Sequence, residues 1–212
     1  MINDIFATSM QGRFIVRNSG DVVEQGEWTY RGFGNAEIAM TAVAERVDGG
    51  LNYELRIHSV ERQLDDIQFR SQSGGVPTRA FNAKIAGHTM TLATPDEHGG
   101  EEIGNLALPP ETIFDGPSPI WFIHLALTAP PPTDRVVTTP IIRFNISTGD
   151  FDGGFYRLKS DGKDVSVSAL DTDGVETGTL AFTISDDGFV SQIRVGESEI
   201  EVQRLPSATY HS

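Results

Sequence analysis

Residues 161–205 read DGKDVSVSALDTDGVETGTLAFTISDDGFVSQIRVGESEIEVQRL, and this stretch decides the fold. Runs rich in β-branched and apolar residues over 164–170, 175–184, 189–195 and 199–205 are cut by Asp161-Gly162, Asp173-Gly174, Asp187-Gly188 and Gly196. Asp-Gly pairs supply the positive φ that a tight hairpin turn needs, so each break reads as a turn and each run as a strand. Working back, 135–146 and 154–159 extend the series across Thr148-Gly149. Turns this closely spaced leave no room for helical crossovers, so the strands pair antiparallel with their sequence neighbours.

The N-terminal side follows the same grammar. Strands are expected over 12–17, 22–30, 35–47 and 51–61, with turns at Asn18-Ser19-Gly20-Asp21 and Asp48-Gly49-Gly50. Within 51–61, Leu51, Tyr53, Leu55 and Ile57 share one face, while Asn52, Glu54, Arg56 and His58 share the other. Residues 67–71, 78–85 and 88–94 add further strands, the last two hinged at Ala86-Gly87. The stretch 94–104 holds Pro95, Gly99, Gly100 and Gly104 among acidic residues and reads as a surface loop.

Two segments depart from this pattern. Ser118 suits a helix N-cap, Pro119 the first helical position, and 120–128 is apolar until Ala129-Pro130-Pro131-Pro132 must stop it, which predicts a helix over 118–128. The spacing of Ile2, Ile5, Phe6 and Met10 suggests a turn or short helix within 1–11. No linker, low-complexity tract or true repeat divides the chain, so 1–212 reads as a single domain, with 206–212 as a flexible tail.

An open twisted sheet rarely exceeds about ten strands without curling, splitting or closing. The expected class is therefore all-β, a curved antiparallel sheet forming a barrel or half-barrel with the 118–128 helix across its concave face. This order of elements resembles the half-barrel of bacterial lipoprotein carriers over roughly residues 12–205. Leu108-Pro109-Pro110-Glu111-Thr112-Ile113-Phe114-Asp115-Gly116-Pro117-Ser118-Pro119 looks like the segment that leads, in such proteins, into the helix covering the sheet. The resemblance is architectural and contains no diagnostic motif. It implies a cavity-bearing fold that also hosts cofactor-free enzymes, and lipoprotein transport does not follow from it.

Composition narrows the function. Apolar residues make up 38%, and 22 glycines in 212 residues bring the total to about 48%, enough for a sizeable core. Thirty acidic against 16 basic side chains give a net charge of −14, a field that repels nucleic acid and anionic membranes. With no cysteine, disulfides, thiolate nucleophiles and thiolate metal sites are excluded. The acidic start at Met1 to Phe6 lacks the positive charge of a secretory signal, and no apolar run approaches the length that spans a bilayer. A cytoplasmic protein without membrane insertion is the expectation.

The candidate site residues are scattered. His124 lies on the apolar helix beside Trp121 and Leu125, at the three- and four-residue spacings shared with Ile120, Ile123 and Leu127. It is either a proton-transfer group facing the cavity or a hydrogen-bonded edge residue. Glu54, Arg56 and His58 form either an interior polar cluster or, as simple alternation favours, the wet outer face of a strand. Trp28, Tyr30, Trp121, Phe122 and Phe144 are candidate wall residues for a small apolar ligand, with packing in the core as the alternative. Arg143 and Arg157, if both pointed inward, would make a cationic spot for a carboxylate or enolate.

Asp96-Glu97-His98 with Glu101 and Glu102 has metal-ligand residue types but no spacing that fixes them, and Asp171–Gly174 and Asp186–Gly188 lack the remaining ligands of a calcium loop. No nucleotide-binding fingerprint is present, so neither cofactor nor metal is expected. The leading expectation is a soluble protein binding a small hydrophobic or amphipathic molecule. The alternatives are a cofactor-independent isomerase, cyclase or lyase using His124, His58 and Arg143, and an interaction module with a filled core. Ligand identity and oligomeric state do not follow from the sequence.

Overall fold

A computed structural model describes residues 7–33, 37–61, 63–95, 100–116, 136–185 and 190–205. Strand accounts for 79% of them and no helix occurs among them, so backbone pairing between strands carries the fold. The strands are β1 (Ala7–Asn18), β2 (Asp21–Phe33), β3 (Glu37–Arg46), β4 (Asn52–Val60), β5 (Gln63–Ser73), β6 (Val76–Ala86), β7 (Thr89–Pro95) and β8 (Glu101–Ala107), followed by β9 (Ile113–Asp115), β10 (Val136–Phe144), β11 (Phe151–Asp161), β12 (Asp164–Leu170), β13 (Glu176–Ile184), β14 (Val190–Val195) and β15 (Ser198–Leu205).

All belong to one sheet, ordered β8-β7-β6-β5-β4-β3-β2-β1-β15-β14-β13-β12-β11-β10-β9. Two meanders run outward from the middle, and within each the strands pair antiparallel with their sequence neighbours, as the hairpin turns dictate. The meanders join where β1 pairs with β15, from Gln11↔Leu205 to Asn18↔Ser198. At the far end β9 runs parallel to β10, with Ile113 opposite Ile141 and Asp115 opposite Arg143.

Register explains where the core lies, because residues directly opposed across paired strands share a face. Trp28, Ala42, Leu55, Phe69 and Phe81 oppose one another in turn from β2 to β6 and are all buried. Gly12 opposes Trp28 and so places Phe14 and Val16 on that face, which continues through Ile200, Ile193, Phe182 and Val165. Leu158 and Tyr156 extend it into β11. The opposite face of β4 carries Glu54, Arg56 and His58, so the alternation read from the sequence places these polar residues outside the core.

The β9 end behaves differently. Phe144 opposes Phe151, and alternation puts both on the face opposite Tyr156. Yet the Phe144 ring centroid lies 5.0 Å from that of Phe69 and 4.7 Å from that of Phe81, on the core face of the other meander. Both sides of this end are covered, since Ile113, Phe114, Ile141 and Ile142 are all buried. The β9–β10 edge is therefore rolled inside β5 and β6, outer face against inner face. The sheet is an open scroll, with side-chain contacts where a closed barrel would have a hydrogen-bonded seam.

This arrangement revises several expectations. The space over Phe69 and Phe81 is occupied by rings from the sheet's own edge; the expectations of a helix over 118–128 and a tail over 206–212 fall outside the described residues and stand as they were. Residues 7–11 belong to β1, with Met10 opposite Tyr30, so they are not part of a turn or short helix; residues 1–6 are outside the described set. The expected loop over 94–104 contains the start of β8, which pairs Glu101 with Pro95. Every residue of β8 is exposed, which explains why no apolar alternation marked it. No helix among the described residues is long and apolar enough to cross a membrane.

Candidate ligand-binding site

On β6 the core face runs Ala83, Phe81, Arg79, so the apolar row ends in a cation at the rim of the sheet. The neighbouring row on β5 ends in Ser71, opposite Arg79. A bulge between Ser71 and Gln72 leaves Thr78 as the extra residue, and its hydroxyl lies 2.8 Å from that of Ser71. The hairpin beyond closes on Gly74 and Gly75, with φ of 57° and 81°, the two positive values that a two-residue turn of right-handed twist requires.

The facing wall comes from the β10–β11 hairpin, whose strands end and begin with Phe144 and Phe151. Its turn is fixed from within: Asn145 N donates to Asp150 O at 2.9 Å and Gly149 N to Asn145 O at 2.7 Å. The Asn145 side-chain oxygen accepts from Ser147 N at 2.9 Å. Phe81, Phe144 and Phe151 pack mutually edge-on or tilted, with centroids between 4.7 and 5.1 Å apart. Over these rings opens a cleft of about 420 Å³, rimmed by Arg79, Thr94 and Pro95. A second cleft of about 370 Å³ shares Pro77, Arg79 and Ala80 and is lined by Tyr53, Glu54 and Arg70.

A polar cluster lies within the roll. Asp115 Oδ2 accepts from Tyr156 OH at 2.6 Å and from Arg143 Nε at 2.7 Å, and both Asp115 and Tyr156 are buried. Burial pushes the Asp115 carboxyl above its ordinary range, against the two donors that pull it down. Burial and the adjacent carboxylate also hold the Tyr156 phenol well above its ordinary value. Burial pulls Arg143 down, but Asp115 outweighs it and leaves Arg143 firmly charged. Asp115 thus ties β9 to β10 and β11, and neither cleft is lined by it.

Of the residues singled out from the sequence, Phe144 lines the first cleft. Trp28 and Tyr30 are buried in the core and line neither cleft. Arg143 and Arg157 lie on opposite faces of the β10–β11 pair, because Arg157 opposes Thr138 while Arg143 opposes Asp152, so they make no joint cationic spot. His58 bonds Asp65 through Nδ1 at 2.8 Å and Glu37 through Nε2 at 3.0 Å. Arg56 Nε bonds Glu54 at 2.8 Å, so the three polar residues of this face form no single cluster around His58. His58 and Arg143 therefore sit on opposite faces of the sheet.

His124, Trp121, Phe122, and the Asp96-Glu97-His98 triplet lie outside the described residues. Among the described residues no cluster of acidic and histidine side chains is placed to hold a metal. Asp171 Oδ1 accepts from Asp173 N at 3.0 Å and Val175 N at 2.8 Å, which makes 171–175 a hairpin turn. Arg79, Phe81, Phe151, Asp115 and Tyr156 were not singled out. A signal for Phe151 was present: it and Phe144 flank the Thr148-Gly149 turn, which places two aromatic rings side by side at a strand end.

No family model and no curated protein matches the chain. Among solved structures it is similar to a beta-barrel-like protein of domain of unknown function DUF1849 from Brucella abortus. The match covers 93% of this chain and 95% of that one, at 10% identity and a TM-score of 0.51. A DUF1089 family protein from Pseudomonas aeruginosa matches 77% of this chain and 86% of its own, at 12% identity and a TM-score of 0.49. At such identity the first likeness speaks to fold alone: it supports a barrel-like sheet and gives no support to the lipoprotein carriers in particular.

Proposed function

We propose that this protein binds a small hydrophobic or amphipathic molecule in the cleft over Phe81, Phe144 and Phe151. The observation that carries the reading is an open volume of about 420 Å³ floored by three aromatic rings. Sites for small organic ligands are typically concave and apolar, about 300–1,000 Å³, with a few polar groups at the rim. A cofactor-independent isomerase, cyclase or lyase is less well supported. Its proton-handling group would have to meet the substrate, and the buried carboxyl, Asp115, already accepts from Tyr156 and Arg143 away from both clefts.

The test is titration with Nile red, a neutral dye that brightens in apolar surroundings, followed by native mass spectrometry. Saturable binding to the wild-type chain is expected, with affinity reduced at least about fivefold in Phe151→Ala, which removes one ring from the floor. Absence of saturable binding, or an unchanged affinity in a folded Phe151→Ala variant, would exclude the cleft as the site.

A further inference from the structure

Among the described residues, Arg79 is the one charged residue lining the cleft, and its setting points to a class of ligand. Arg79 Nη2 donates to the Ser147 carbonyl at 2.9 Å. Its Nη1 lies so close to Gly149 that a Cβ there would collide with it, and Gly149 holds a φ of 86°, where a side chain would also be strained. The glycine turn therefore acts as a seat for the guanidinium. Among the described residues this one bond to Ser147 leaves most of the planar fork of N–H donors unused.

Charge sharpens the argument. The chain carries 30 acidic side chains against 16 basic ones; Arg13, Arg46, Arg56, Arg143 and Arg194 each pair with a carboxylate, whereas among the described residues Arg17, Arg31, Arg70, Arg79 and Arg157 do not, and of these five only Arg79 lines the cleft over the rings. Arg79 is exposed, has no carboxylate within 4.0 Å among the described residues, and stands at the rim of the cleft floored by the three rings. A guanidinium seated on the Ser147–Gly149 turn, with no carboxylate beside it among the described residues, suits a planar anion on an apolar body, since its fork matches a carboxylate with two parallel hydrogen bonds. Resting on the binding role proposed above, we infer that the ligand is an amphipathic carboxylate, its apolar part over Phe81, Phe144 and Phe151 and its carboxylate on Arg79.

The test compares decanoate, decanol and decylamine by displacement of Nile red from the full chain, in wild type, Arg79→Met and Arg79→Lys. Decanoate is expected to displace the dye at a concentration at least tenfold lower than decanol, with decylamine weakest. Arg79→Met should bring decanoate down to the level of decanol in the same variant, and Arg79→Lys should retain only part of the preference. Added salt should weaken decanoate alone. Equal binding of decanoate and decanol to the wild type, or an undiminished preference in folded Arg79→Met, overturns the carboxylate assignment while Nile red binding upholds the cleft. If neither dye nor any of the three compounds binds, the binding role itself falls.

Discussion

His58 lies between two carboxylates, Asp65 and Glu37, one at each ring nitrogen. Partial burial alone would lower its pKa, but the two hydrogen bonds and the negative charges behind them outweigh it, and the net shift is upward from 6.5. The folded chain then holds the proton more tightly than the unfolded one. The contact stabilises fully below the unfolded value and fades as pH rises through the folded one. The predicted observable is the stability difference between wild type and His58→Gln by urea denaturation. It should be under about 1 kcal/mol, as for a part-exposed ion pair, and should shrink as pH rises above 6.5. A difference that grows with pH would contradict this. Alternation in β4 placed His58 on the polar face, but its partners were not legible. Glu37 is 21 residues away, and the bulge between His58 and Ser59 that accommodates Asp65 leaves no mark in the local pattern.

At the scale of elements, β9 shows how three residues can fix an edge. Phe114 is buried near Phe81, their centroids 6.3 Å apart, while Asp115 on the other side takes the hydrogen bonds of Tyr156 and Arg143. Tyr156→Phe removes one donor from a buried carboxylate and is expected to cost about 1–3 kcal/mol. Phe114→Ala opens a cavity between the layers and should cost more, about 3–5 kcal/mol. Denaturant midpoints for the two variants check both the magnitudes and their order. The proline-rich approach to β9 read as a connecting segment, since a three-residue strand in parallel pairing displays neither the length nor the alternation that marks a strand. By contrast the hairpins of the last third were legible because Asp-Gly turns announce themselves locally.

For the whole molecule, the deciding join is β1 with β15, between stretches at opposite ends of the described chain. Sequential pairing predicts two meanders and says nothing of how they meet, so this contact was invisible in the sequence. Its removal should be drastic. A chain ending at residue 197 loses β15, leaving β1 and β14 with open edges in the middle of the sheet and Phe14 without Val202 opposite it. We expect the full chain to unfold in one cooperative transition by circular dichroism and the shortened one to show none. A cooperative transition in the shortened chain would mean that the first meander folds independently. The curling itself was legible from strand number alone, whereas the inward roll depends on which face of β10 meets β6, a tertiary contact.

The roll has a mechanical consequence. In a closed barrel the diameter is locked by strand number and shear, because a change of girth would break the hydrogen-bonded seam. Where the layers of this sheet overlap, Phe81 meets Phe144 and Phe151 ring to ring and Arg79 reaches the Ser147 carbonyl, with no ladder among the described residues crossing the gap. Like a coiled spring, such a sheet can wind or unwind by letting those rings slide, at the expense of dispersion contacts and of the Arg79–Ser147 hydrogen bond, without severing a strand-to-strand backbone bond. The gauge of the cleft is then a matter of winding.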